Sequence, residues 1–198
     1  RYEMEQKRIV AIVGSLRKES YNLQLAQKAQ EIVGERATFD IIDYADVPFM
    51  NQDIEYPAPD AVRRVRDAIK AADGVWIFTP EYNHSYPGVL KNLIDWLSRP
   101  ISKEERQVFS RKPIAISGTS TGMGATLTAQ DLLVMLLSML NANVMNFPRL
   151  TIPNIGQQTD ESGKLSLTAS LPYLEKQADA FLKFLHSILL LQFYKHLH

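Results

Sequence analysis

The sequence predicts an α/β protein built on a doubly wound parallel sheet with helices on both faces. Three observations predict it. Five runs of near-continuous apolar residues alternate with helical periods, the pattern of strands buried on both faces. Turn chemistry falls between the runs, at Gly14, Gly34, the "YPAPD" stretch and Pro80. The 198 residues, 45% hydrophobic and 22% charged, suit one domain with a full core, expected to span 1–198.

The elements follow in order. Arg8–Gly14, "RIVAIVG", is rich in β-branched residues and stops at a glycine. Asn22–Val33 places Leu23, Ala26, Ala29, Ile32 and Val33 on one face, a helix closed by Gly34. Thr38–Tyr44 reads as a second strand. Asp60 can cap a helix whose buried stripe is Val62, Val65, Ile69 and Ala72. Val75–Thr79 is the third strand and Val89–Leu97 the third helix. Pro113–Ser117 is the fourth strand, followed by a helix through Thr128–Leu140. Asn143–Ile152 holds a fifth strand interrupted at Pro148. The core is expected over 8–154, with a closing helix within 168–191, its period running Leu171–Leu191. There is no internal repeat and no linker.

Composition excludes several classes. Lys plus Arg equals Asp plus Glu at 22 each, so bulk charge implies neither nucleic acid nor a membrane surface as partner. With no cysteine there is no disulfide scaffold, no thiolate nucleophile and no Cys-ligated metal. Three of the four histidines lie in the last thirteen residues, which disfavours a His-built metal site. The opening "RYEMEQKR" lacks the apolar region of a secretion signal, and "ILLL" is too short to span a bilayer, so a cytoplasmic protein is expected.

On a doubly wound sheet the ligand lies beyond the carboxyl ends of the strands, so three loops carry the functional question. The first is Gly14–Asn22, "GSLRKESYN". It matches neither the Walker loop nor G-x-G-x-x-G. It does line up Ser15, Arg17, Ser20 and Asn22 before a helix N-terminus, where unpaired amides already attract an anion. Two hydroxyls, an amide and a guanidinium suit one phosphate monoester; the alternative is an N-cap beside a solvated arginine.

The second loop is "TPEYNHSYPGVLKN", Thr79–Asn92. Pro80 holds Thr79 extended, Asn83 tolerates the left-handed region, and Pro87 fits the first turn of the next helix. Backbone amides beside Tyr82, His84 and Tyr86 suit a planar, hydrogen-bonding heterocycle; the alternative is a long turn with its aromatics tucked onto the core. The third is "GTSTGMG", Gly118–Gly124, whose glycines admit a closely approaching ligand. It also fits G-x-S-x-G between a strand and a helix, which raises a rival, a hydrolase with Ser120 as nucleophile.

Taken together, "GSLRKESYN" and "PEYNHSYPGVLKNLIDWL" resemble the NADPH-dependent FMN reductases, nearest their bacterial quinone, azo-dye and chromate reductase group. The resemblance spans about 8–154. It implies a flavodoxin-like, three-layer α/β/α fold with a five-stranded sheet in the order 2-1-3-4-5. It also implies non-covalent FMN, NADPH or NADH as co-substrate, a small-molecule electron acceptor, and a homodimer or a dimer of dimers. Carried over by residue, Ser15, Arg17, Ser20 and Asn22 match the phosphate positions, with Leu16 between them contributing backbone. Pro80, Glu81, Tyr82 and Asn83 match the segment lining the flavin ring. Ser117, Gly118, Thr119 and Gly122 fall where the family closes around the flavin's pyrimidine end. The chemistry implied is ping-pong and belongs to the cofactor, so no catalytic side chain is assigned. A flavodoxin-type electron carrier is the alternative from a different class, disfavoured by an arginine in the phosphate loop.

Overall fold

The computed structural model describes residues 6–195, with side chains through Ile188. The strands are β1 (Lys7–Val13), β2 (Ala37–Ile41), β3 (Gly74–Phe78), β4 (Pro113–Thr119), β5 (Asn143–Val144) and β6 (Leu150–Ile152). The helices are α1 (Tyr21–Val33), α2 (Asp60–Ala71), α3 (Gly88–Leu97), α4 (Leu127–Met139) and α5 (Leu171–Lys195). All strand pairs are parallel and the order is β2-β1-β3-β4-β5, with β6 also on β4.

The period of two sorts each strand between two cores. Ile9, Ala11 and Val13 of β1, with Trp76 and Phe78 of β3, face α1 and α5. Val10, Ile12, Val75 and Ile77 face α2, α3 and α4. Every residue of β3 and β4 is buried, which is why those strands read as unbroken apolar runs. Trp76 stacks on Phe78 at 5.2 Å between ring centres and meets Phe181 of α5 edge-on at 5.6 Å. A Cβ on Gly74 would lie 2.5 Å from Leu185, so glycine there lets α5 close onto the sheet. A buried relay fixes the same helix. Trp76 Nε1 donates to Ser117 Oγ (2.8 Å), Ser117 Oγ donates to Gln177 Oε1 (2.6 Å), and Gln177 Nε2 donates to the Ile116 carbonyl (2.9 Å).

Four sequence expectations are corrected. The fifth strand is not one strand but two, because the chain leaves the sheet over 145–149 around Pro148; β5 pairs with the start of β4 and β6 with its end. β2 stops at Ile41 rather than Tyr44, because Tyr44 turns inward and its hydroxyl donates to the Val13 carbonyl at 2.5 Å. Asp60 does not cap α2. Pro59 holds the cap position in an extended conformation, and Asp60, the first helical residue, pairs with Arg63. Pro87 likewise sits at the cap of α3, one residue before its first turn.

Candidate functional site

β1, β3 and β4 all deliver their following loops to one edge of the sheet, and the loops touch. The Gly14 amide donates to the Phe78 carbonyl at 2.7 Å, and a Cβ on Gly14 would lie 3.1 Å from the Pro80 ring. The Thr79 amide donates to the Ser117 carbonyl at 2.9 Å. A Cβ on Gly118 would collide with the Thr79 carbonyl and with Thr126. Gly118 is therefore a packing glycine: it brings the second and third loops together rather than opening space for a ligand.

Between them lies a cleft of about 190 Å³. Ser15, Arg17 and Ser20 line it from the first loop, Pro80, Glu81 and Tyr82 from the second, and Thr119, Ser120 and Thr121 from the third. Ser20 caps α1, its Oγ accepting from the Leu23 amide at 3.1 Å, which leaves its O–H free to donate. Arg17 is exposed and lies 5.7 Å from the centre of the Tyr21 ring. Among the described residues it forms no ion pair, so a cation stands beside the N-terminus of α1. Hydroxyls, guanidinium and helix end together form a donor set for a phosphate monoester, and so the residues present fit the phosphate of FMN. The one carboxylate among the lining residues, Glu81, accepts from the Ala129 amide at 2.7 Å.

The second loop owes its shape to a two-residue reversal. Tyr82 and Ser85 exchange backbone hydrogen bonds of 2.9 and 3.1 Å across Asn83 (φ 51°) and His84 (φ 60°). Two consecutive left-handed residues make the tight turn whose twist suits a hairpin. Asparagine was the expected left-handed residue, and His84 joins it. The turn leaves Tyr82 half exposed at the cleft wall.

Asn22 also lines the cleft, and its buried carboxamide holds the backbone of Thr119, donating one bond of 3.1 Å and accepting one of 3.0 Å. It pins α1 to the end of β4. The Ser117 hydroxyl lies wholly within the relay to Trp76 and Gln177 and does not reach the cleft. Leu16 is exposed and faces a neighbouring cavity. Asn83 and Gly122 lie outside the cleft wall; the Gly122 carbonyl accepts from Ser120 Oγ and from the Asn154 amide. Ser120 Oγ donates to the Gly122 carbonyl and has no histidine partner among the described residues; the downstream candidates His196 and His198 lie outside them.

Sequence reasoning missed the segment after β6. Thr119 Oγ1 and the Ser120 amide both donate to the Ile152 carbonyl (3.0 and 3.2 Å), and the Ile155 amide donates to the Ser120 carbonyl (3.0 Å). Asn154, left-handed at φ 48°, turns the chain there. Asparagine before a new turn was the one available signal. A larger cavity, about 960 Å³ between Tyr56, Ile101 and Met139, lies at the opposite edge. Apart from Tyr56, its wall comes from the segment between α3 and β4 and from the end of α4, which lead into the strands' amino ends, whereas on this topology the carboxyl ends carry the ligand.

Comparison with known proteins agrees with this geometry. The family model for NADPH-dependent FMN reductase matches residues 7–157. A 2-hydroxy-1,4-benzoquinone reductase of Burkholderia sp is 37% identical over 174 residues, covering 88% of this chain and 93% of that one. A quinone reductase of Escherichia coli K12 is 34% identical over 188 residues, with 93% and 98% covered. The solved structure of FerB, a flavoenzyme NAD(P)H:(acceptor) oxidoreductase from Paracoccus denitrificans, superposes with a TM-score of 0.82 at 33% identity, covering 91% of this chain and 98% of that one. With the sheet order in agreement, the chain belongs to the NADPH-dependent FMN reductase family, flavodoxin-like oxidoreductases that use FMN with NAD(P)H.

Proposed function

We propose that this chain takes electrons from NAD(P)H and delivers them to quinones, with azo compounds, chromate and free flavin as further acceptors. The carrying observation is the cleft itself: a phosphate donor set at one end and an open wall of backbone and Tyr82 at the other. FMN, when bound, supplies the redox chemistry, accepting a hydride and returning two electrons to a second substrate. The chain's own residues bind and orient. Ser15, Arg17 and Ser20 hold the phosphate, with Asn22 fixing the helix that carries Ser20. Pro80, Glu81 and Tyr82 line the ring, and Thr119 closes the third side. An open wall leaves room for nicotinamide and acceptor to alternate at one face, which is the basis of a ping-pong reaction. The quinone reductases among its relatives support this acceptor class.

A second copy of the chain completes the reading. α4 is apolar nearly all round, and Leu127, Met135 and Met139 are 54%, 61% and 82% exposed. The closing helix α5 packs with α1 on the other face of the sheet, so it is not the cover. A homodimer through α3 and α4, alone or doubled into a dimer of dimers, would cover that face and wall the cleft that opens beside the start of α4. Among the described residues no helix is long and apolar enough to cross a membrane. Use of NAD(P)H supports a cytoplasmic setting.

Purified protein should be yellow and should release FMN on denaturation. Steady-state oxidation of NADPH and NADH against benzoquinone, an azo dye, chromate and free FMN tests the acceptor class. Quinone turnover is expected to be fastest; protein that binds FMN yet leaves every quinone unreduced would sink the proposal.

A further inference from the structure

A second cavity, about 500 Å³, opens at the same carboxyl edge as the cleft. Its walls are Leu16, the loop after β2 (Tyr44, Val47, Pro48, Phe49) and the first turn of α3. Leu16 joins the two spaces, since its chain neighbours Ser15 and Arg17 line the cleft. Burial, and secondarily the charge of Tyr82, pushes the Tyr44 phenol well above its ordinary range.

No charged side chain lines this cavity. Its hydrogen-bonding side chains are already engaged: the Tyr44 hydroxyl with Val13, and Asn92 through both ends of its amide, accepting from the Met50 amide at 2.8 Å and donating to the Pro48 carbonyl at 2.9 Å. A ligand entering here finds no charge partner and few hydrogen bonds. It gains by removing apolar surface from water. Two large hydrophobic side chains already stand exposed at the rim, Phe49 at 88% and Leu16 at 51%. Concave apolar spaces of roughly 300–1,000 Å³ with such a rim are where small ligands bind. The cavity takes its helical wall from the start of α3 and none from α4.

We propose that this cavity is an annex of the acceptor site, receiving the neutral alkyl substituent of a quinone whose ring sits at the cleft. The inference rests on quinone reduction at that cleft. It makes Leu16 and Phe49 specificity-determining residues, and it gives the loop after β2 a part in substrate choice.

Gly88 offers the probe. It lines the cavity, and a Cβ placed on it meets nothing within 4 Å, so a side chain can start there without strain and Gly88→Leu adds volume to the wall. The holoprotein is assayed with benzoquinones carrying n-alkyl chains from ethyl to hexyl, whose ring electronics are nearly constant. In the parent, kcat/KM should climb with chain length by up to about fourfold per methylene until the cavity is full. In Gly88→Leu the climb should flatten, with the hexyl compound losing about tenfold or more while unsubstituted benzoquinone and FMN retention stay within about twofold. Calorimetric binding of the hexyl compound to the oxidised holoprotein should weaken in parallel. A flat parent series, or hexyl binding equal in parent and variant, overturns the annex. A parent that binds the hexyl compound in a Gly88-dependent way yet reduces no quinone supports the cavity and sinks the reading of the cleft, so the two failures are distinguishable.

Discussion

Glu81 accepts a hydrogen bond from the Ala129 amide at 2.7 Å, joining two loops 48 residues apart. The carboxylate belongs to the segment that lines the cleft, and the amide belongs to the first turn of α4. One side chain thus caps a helix and sets the spacing between the second and third loops.

Glu81→Ala should therefore lower stability by about 1 kcal/mol, the usual cost of a lost helix cap. FMN affinity should fall with it, whereas Glu81→Gln, which keeps an acceptor oxygen, should retain most of both. Denaturant unfolding and flavin fluorescence quenching measure the two effects. Equal behaviour of the Ala and Gln variants would show that the cap is idle.

Arg17→Ala removes the exposed cation beside the N-terminus of α1. The expected loss is at the lower end of a charge-assisted hydrogen bond, roughly 1.5 kcal/mol or about tenfold in FMN affinity. Riboflavin, which has no phosphate, should bind parent and variant alike. Titration of both ligands decides it: a riboflavin affinity that falls as far as that of FMN would place the phosphate elsewhere.

Gln177→Leu tests the relay under the sheet. It strips partners from the Ser117 hydroxyl and the Ile116 carbonyl, both buried. Stability should fall by about 1–3 kcal/mol, the penalty for orphaned buried polar groups. Urea unfolding with unchanged FMN affinity in the folded protein is the expected pair of results.

Much of this was legible in the sequence. "RIVAIVG" and "GVWIF" read as strands because both faces of each are buried, and Ser15, Arg17 and Ser20, neighbours along the chain, come to one cleft. What was hidden is the tertiary pairing that redirects side chains. Asn22 lines the cleft as its place in the loop suggests, yet its amide also holds Thr119, 97 residues away. Ser117 looks like a loop residue until Trp76 and Gln177 enclose it. The cavity behind Leu16 was invisible because the loop after β2 has no period and carries no chemical motif.

Met135→Asp addresses the second copy. Met135 is 61% exposed on α4, so a monomer should tolerate the charge with little change in stability. A dimer buried on that face should dissociate, weakening FMN retention at the same time. Sedimentation and flavin release, measured together, should move together. A parent that sediments as a fully active monomer at high micromolar concentration refutes the dimer.

The broken fifth strand has a consequence for how the protein keeps to itself. β5 offers two residues and β6 three, with a step between them at which Phe147 stands exposed and Arg149 pairs with Asp131 of α4. A stray extended chain seeking to add a strand at this border would lose register at the step and meet a proline without an amide hydrogen to offer. Borders that short and uneven make poor templates for fibril-like growth. The same step folds the chain back so that Ile152 and Asn154 can grip the third loop. One interruption thus guards solubility along the sheet's rim and braces the cleft.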